Sequence, residues 1–312
     1  MALLAAASLG CTVTPASARG GDVALTFDDL PGLTISDSQA YIDRFNKALL
    51  ADLERHKVPA IGFVNAGKLG EPQSERQVAN LKRWLDAGMR LGNHSYSHES
   101  PNSLGAAAYI ADIARGEPIL RELLGARGQT LTWYRHPFLE TGDPAATRNE
   151  IDQWLTAHGY RVAPVTIDAD DWEFAEPYDA AVIHRNRKLQ RRIMRAYLDY
   201  TAIRIDWAQR SARVLFGRDV AQVMLLHCTR LNADAFDRLA GLLQRARLRP
   251  VALAEAMKDP AYATRDDYAG KDGLDWLERW AMTLGKSLPE AGDDDPPAWI
   301  AQQYDRVDND RR

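Results

Sequence analysis

Two cysteines in 312 residues are too few for a disulfide framework. One of them, Cys11, sits in an apolar N-terminal stretch, so without that stretch Cys228 stands alone and no internal disulfide can form. Stability must then come from a packed core. Long apolar runs are missing too: the longest covers residues 2–13, short of the roughly 20 residues a membrane-spanning helix needs, so a stable membrane anchor is not expected. A charge excess is absent. Lys plus Arg at 39 against Asp plus Glu at 43 leaves a net −4, which gives no electrostatic case for a nucleic-acid partner. Gly at 21 and Pro at 15 are too few for a low-complexity or collagen-like chain, and eight Trp, eleven Tyr and seven Phe exclude a solvated tail.

What is present begins with an export pattern. The apolar run is followed by the small-x-small sequence Ala16-Ser17-Ala18 and then Arg19, which reads as a signal peptide over residues 1–18 of an exported, periplasmic or secreted protein. The absence of Lys or Arg before the run departs from that pattern. A lipid attachment at Cys11 is disfavoured, because Ser8 stands where a Leu is expected. Residues 19–312 are read as one catalytic domain.

From Val23 onward, short apolar runs alternate with helix-period segments, as in βα units around a parallel sheet. Strands are expected at residues 23–27, 60–65, 89–92, 131–134, 160–167, 220–226 and 250–253, with helices at 37–56, 74–87, 103–124, 147–158 and 233–247. Asp37, Ser74 and Ser103 suit helix starts, and Gly88, Gly125 and Gly159 suit helix stops. Titratable groups follow five strands: Asp28 and Asp29, then His94 and His98, Arg135, Asp168 to Asp171, and His227. In a barrel those strand ends converge on one face. The expected fold is therefore α/β, a distorted (β/α)7 TIM-like barrel. Residues 173–218 form a helical insertion between the fifth and sixth strands, expected as two helices over 183–200 and 203–216. Its cationic run, Arg185, Arg187, Lys188, Arg191, Arg192 and Arg195, is read as a solvated helix face. Residues 257–312 form a C-terminal extension with a helix at 274–284, whose Trp276 and Trp280 are expected to pack. The Asp293-Asp294-Asp295 run is a surface tail that lacks the ligand alternation of a calcium loop.

His94-Ser95-Tyr96-Ser97-His98 sets two imidazoles four residues apart, on one side of a helical turn, where they can chelate. The acids Asp28-Asp29 at the end of an apolar strand are costly to hold unless a cation or proton shares the charge. Two imidazoles and one carboxylate fill three positions of a divalent ion and leave others open for water and substrate, as in hydrolytic sites. Because neighbouring residues point in different directions, only one of the two acids serves easily as a ligand.

With these residues the chain resembles the polysaccharide deacetylase family, carbohydrate esterase family four. Thr26-Phe27-Asp28-Asp29 resembles its first motif and His94-Ser95-Tyr96-Ser97-His98 its second. Arg135-His136-Pro137-Phe138, Asp168-Ala169-Asp170-Asp171-Trp172 and Leu225-Leu226-His227 resemble the third, fourth and fifth, in the family's order. The resemblance implies that Asp29, His94 and His98 hold a metal, with Asp28 as general base and His227 as general acid. It further implies that Arg135 orients Asp28, that Asp171 orients His227, and that Pro137, Phe138, Trp172 and Leu225 line the substrate site. Zn²⁺ is the first expectation for the metal, with Co, Ni, Mn and Fe(II) compatible with the same ligands.

Leu30 stands where the family has a Gly after the first motif's acids, and Leu139 where it has a Gly after the third motif's aromatic. Both changes, with the helical insertion, affect the groove rather than the reacting groups, and point to a short or terminal sugar. The expected activity is removal of acetyl groups from N-acetylated amino sugars of a chitin-like or peptidoglycan-like glycan. The alternatives are an O-acetyl esterase on acetylated polysaccharide and an inactive glycan-binding homologue. His56, His136, His158 and His184 have no evident partner set and are read as surface or supporting residues.

Overall fold

A computed structural model describes residues 21–70, 74–292 and 295–307. The N-terminal stretch read as a signal peptide, with Cys11, lies outside the described residues, as do Asp293 and Asp294. The chain runs through β1 (Asp22–Leu30), α1 (Gln39–His56), β2 (Ala60–Val64), α2 (Ser74–Asp86), β3 (Arg90–Asn93), α3 (Pro101–Leu104) and α4 (Ala106–Gly125). It continues through β4 (Trp133–Tyr134), α5 (Ala145–Ala157), β5 (Arg161–Val162), α6 (Asp171–Ile183), α7 (Arg187–Phe216), β6 (Gln222–His227) and α8 (Arg230–Arg245). The last elements are β7 (Arg249–Pro250), α9 (Leu253–Ala256), α10 (Trp276–Leu284) and α11 (Ala298–Val307).

The seven strands form one curled sheet in the order β5-β4-β3-β2-β1-β6, with β7 paired to the start of β1. Every described pairing is parallel. The ring comes back on itself where the segment after β5 meets β6: Ile167 bridges Met224, and Leu225 N donates to Ile167 O at 2.9 Å. This is the distorted α/β barrel expected from the alternation. β1 lies at its centre between β2 and β6, and its residues are buried from Val23 to Leu30, which is why the strand reads as a continuous apolar run rather than an alternating one.

Several expected boundaries shift. Two strands are shorter: the fourth keeps only Trp133–Tyr134 and the fifth only Arg161–Val162. Pro164 ends the latter, since proline cannot donate to a ladder. The seventh stops at Pro250, and Leu253 already begins a helical turn. α1 starts at Gln39 behind Ser38 rather than at Asp37, and the helix expected from Ser103 is split by Gly105, whose φ of 73° no other side chain adopts easily. Instead of two helices over 183–200 and 203–216, α7 is one helix of 30 residues, because no Gly or Pro interrupts it.

Leu30 is fully buried and lies over Gly62 of β2: a Cβ at Gly62 would come within 2.3 Å of Leu30 Cδ2. The glycine missing after the acids is thus compensated across the strand pair. Behind the barrel, α6, α7 and α8 enclose a second apolar cluster, around Phe174, Tyr178, Ile193, Tyr197 and Leu231, and Ile300 of α11 inserts into it. Among the described residues no helix is long and apolar enough to cross a membrane.

Candidate active site

β1 does not end before its two acids. The strand runs through them, but its register against β2 moves from Phe27↔Gly62 to Leu30↔Val64, so β1 carries one extra residue there. Asp29 takes a left-handed φ of 63° in this bulge. A regular strand would send Asp28 and Asp29 to opposite faces; the bulge instead aims both carboxylates into one cavity.

The His94–His98 stretch is not a helical turn as the spacing suggested. It is an irregular loop after β3, with Ser95 at φ 65° and His98 at φ 58°. Its backbone N–H groups find side-chain acceptors: Asp112 Oδ2 accepts from Tyr96 and Ser97 at 3.1 and 3.0 Å, and Asn93 Oδ1 accepts from Ser95 at 2.9 Å. Held this way, both rings reach Asp29. His98 Nε2 lies 3.4 Å and His94 Nε2 3.7 Å from Asp29 Oδ1, and one donor atom from each of the three residues falls within 4.8 Å of the others.

These residues fit a metal ion. Arg135 O lies 2.9 Å from His94 Nδ1 and accepts its proton, which leaves the Nε2 lone pair facing Asp29. His94 is held neutral, well below its usual pKa, by burial first and by His98 second. Among the described residues Asp29 Oδ1 is buried with no hydrogen-bond partner, a costly state that a cation would relieve. Burial opposes the charge on Asp29, but Lys68, His98 and His94 together keep its carboxyl well below the usual range. Lys68 Nζ, 3.0 Å from Asp29 Oδ2, was not anticipated. It comes from the 3-10 turn Ala66–Gly70 after β2 and has no local sequence signal.

Asp28 and His227 are register partners on adjacent strands, and each has one supporting side chain behind it. Arg135, fully buried, reaches Asp28 Oδ2 at 3.3 Å and Thr26 Oγ1 at 3.0 Å. Burial pushes the Asp28 carboxyl up to about 6 against the pull of Arg135 and His227. Asp171, at the first turn of α6, accepts from His227 Nδ1 and from the His227 backbone N–H, both at 2.7 Å, and from Asn232 Nδ2. Burial opposes protonation of His227, but the Asp171 charge and hydrogen bond outweigh it and raise the imidazole to about 9.

A cavity of about 360 Å³ joins these groups, at the lower end of the range for ligand sites. Asp28, Asp29, His94, His98, Phe138, Trp172, Leu225 and His227 line it, whereas Arg135 and Asp171 stand behind it. Pro137 is buried at the start of a 3-10 turn and does not reach the cavity. Phe138 is half exposed over His98, with ring centroids 4.6 Å apart. Leu139 packs with Val165 and Leu225 in a small apolar cluster at the wall. Its φ of 57° lies in the left-handed region that favours glycine, the residue the resemblance led us to expect there.

Asp168 and Asp170 of the fourth motif also line the wall, and three further wall residues had no sequence signal: Glu176, Gly273 and Tyr304, the last carried by α11. His136 is buried at the wall, its Nδ1 3.1 Å from the Tyr109 hydroxyl, and burial with three nearby arginines lowers it to about 3. His56 pairs with Asp237 at 2.7 Å, His158 stacks on Trp154, and His184 caps α6, all outside the site.

Residues 16–163 match the polysaccharide deacetylase family. The peptidoglycan-N-acetylglucosamine deacetylase of Bacillus cereus is 29% identical over 152 residues, which cover 49% of this chain and 46% of that protein. The chitin deacetylase of Colletotrichum lindemuthianum is 26% identical over 157 residues, 50% of this chain and 55% of that one. The chain thus spans about half the length of these curated relatives. A solved structure of the chitin deacetylase from that fungus superposes with a TM-score of 0.53 at 20% identity, covering 77% of this chain and 88% of that one. A mutant of a CE4 family pseudoenzyme gives 0.53 at 17% identity, covering 77% and 68%. These structures share the fold.

Proposed function

We propose that this chain, which belongs to the polysaccharide deacetylase family, carbohydrate esterase family four, removes acetyl groups from the nitrogen of amino sugars in a glycan. The observation that carries the reading is that three groupings open on one cavity: the Asp29, His94 and His98 set, the Asp28–Arg135 pair and the His227–Asp171 pair. Asp29, His94 and His98 would hold a divalent cation, with Zn²⁺ the ion we propose for two imidazoles and a carboxylate. Such an ion supplies Lewis acidity, polarising the acetyl oxygen and making water a stronger acid near neutral pH.

The chain's own residues then divide the proton traffic. Asp28 accepts a proton from the attacking water: Arg135 anchors its Oδ2, and its Oδ1 is buried with no hydrogen-bond partner among the described residues. An amine leaves poorly unless protonated, and His227, raised to about 9, carries the needed proton at neutral pH. Asp171 fixes the ring by accepting from Nδ1, so the transferable proton sits on Nε2. The apolar nook of Leu139, Val165 and Leu225 suits a methyl group. The names of the curated relatives support N-acetylglucosamine polymers as the substrate class. The small cavity and the bulky Leu139 support a short or terminal sugar. The Ala16-Ser17-Ala18 pattern supports export to the compartment where such polymers lie.

The test is acetate release from chitin oligomers, peptidoglycan fragments and acetylated xylan, with chelator and after metal is added back. Metal-dependent release from the N-acetylated substrates is expected. Release from xylan alone would make the protein an O-acetyl esterase, and metal-independent binding without release would make it a glycan-binding homologue.

A further inference from the structure

The C-terminal segment, beyond the residues that match the family, builds part of the cavity wall. α11 is docked firmly. Ile300 is fully buried in the cluster of α6, α7 and α8, and the Arg192 guanidinium lies 3.8 Å from the centroid of the Trp299 ring. One helical turn beyond Ile300, on the same face, Tyr304 reaches the cavity. There it meets Trp172 of α6 edge to face, with ring centroids 5.1 Å apart and planes at 83°. Both rings are only partly buried and both line the cavity, so the pair forms an aromatic corner open to whatever enters.

We propose that Tyr304 is a specificity-determining residue: with Trp172 it forms a subsite for one sugar ring joined to the amino sugar that reacts. A pyranose offers a face of C–H groups to an aromatic face and C–H edges to a second ring set at right angles, which is what this corner presents. The cavity of about 360 Å³ is small, so the subsite takes one ring and gives no further gain for a longer chain. This rests on the deacetylase reading for the identity of the ligand. Tyr304 is carried by α11, whereas the reacting groups stand at the ends of β1, β3 and β6.

The experiment compares N-acetylglucosamine, its dimer and its tetramer on the full-length protein, on Tyr304→Ala and on Tyr304→Phe. The dimer is expected to have a lower KM than the monomer in the parent protein, with no further gain for the tetramer. Tyr304→Ala should raise KM for the dimer about tenfold, the upper range for one aromatic contact, while kcat and the monomer's constants hold. Tyr304→Phe should behave as the parent. Equal changes for monomer and dimer, no change at all, or a loss in Tyr304→Phe equal to that in Tyr304→Ala would overturn the proposal. Calorimetric titration of the metal-stripped proteins with the dimer reads the same wall without turnover. Weaker binding to Tyr304→Ala than to the parent and Tyr304→Phe supports the subsite, and equal binding refutes it. Monomer turnover unaltered in Tyr304→Ala leaves the deacetylase reading standing even if the subsite fails.

Discussion

Replacing Asp171 by Asn removes the charge that keeps His227 protonated. Burial alone would lower the His227 pKa, yet the Asp171 charge and hydrogen bond carry it from 6.5 to about 9. That rise corresponds to about 3 kcal/mol in favour of the imidazolium. With the carboxylate gone and the burial retained, the pKa should fall to about 6.5 or below. At about pH 8 the protonated fraction then drops from about nine-tenths to about 3% or less, a loss of at least about 30-fold in kcat/KM, and at about pH 6 the loss is much smaller. The amide also sets a donor toward the His227 N–H and Asn232 Nδ2, so a uniform loss is expected as well. The diagnostic is therefore the ratio of activities at the two pH values, from acetate release on an N-acetylglucosamine oligomer. A stability measurement carries the same sign. A folded pKa raised above the unfolded one stabilises fully below about pH 6.5, and that contribution fades as pH rises through about 9. Urea unfolding of the parent should show that alkaline decline and Asp171→Asn should lack it. An alkaline limb still near pH 9 in the variant would show that Asp171 does not set the His227 proton.

Asp28→Asn is expected to keep a bound divalent ion and lose turnover by at least about a hundredfold, as for a missing general base, whereas His94→Ala should lose the ion; metal analysis beside acetate release separates the two. Leu139→Gly should relieve the left-handed strain at φ 57° and empty part of the apolar nook. Relief of about 1 kcal/mol set against the lost burial predicts a net destabilisation of about 1–3 kcal/mol. The same variant should gain activity on N-propionyl over N-acetyl substrates, and an unchanged ratio would show that Leu139 does not bound the acyl group. Gly62→Ala would drive a methyl into Leu30 at 2.3 Å inside the sheet, and urea unfolding should show a loss of about 1–3 kcal/mol.

The barrel and the reacting groups were legible because their signals are local. Apolar runs ending in Asp28-Asp29, His94, Arg135 and His227 mark strand ends one by one, and strand ends of a barrel converge without any long-range information. What escaped depends on contacts between distant segments. Lys68 meets Asp29 across 39 positions, and Tyr304 meets Trp172 across more than a hundred; no spacing rule encodes either. The bulge at Asp29 was hidden because it is set by register against β2 rather than by a glycine. His136 looked like a supporting or surface residue because a lone His between Arg135 and Pro137 carries no periodicity, yet Tyr109 holds it buried at the cavity wall. The continuity of α7 was readable, since Thr201 and Ala202 are not helix breakers and no Gly or Pro lies between Arg187 and Phe216.

The most direct measurement is a titration of the chelator-stripped protein with Zn²⁺, read as bound metal per chain, alongside Asp29→Ala, His94→Ala and His98→Ala. The expected result is one tightly bound ion in the parent, with affinity lost in each variant and restored in none by raising pH. Stoichiometric, equally tight binding in the variants would contradict a shared cation at Asp29, His94 and His98, and with it the deacetylase chemistry built on that ion.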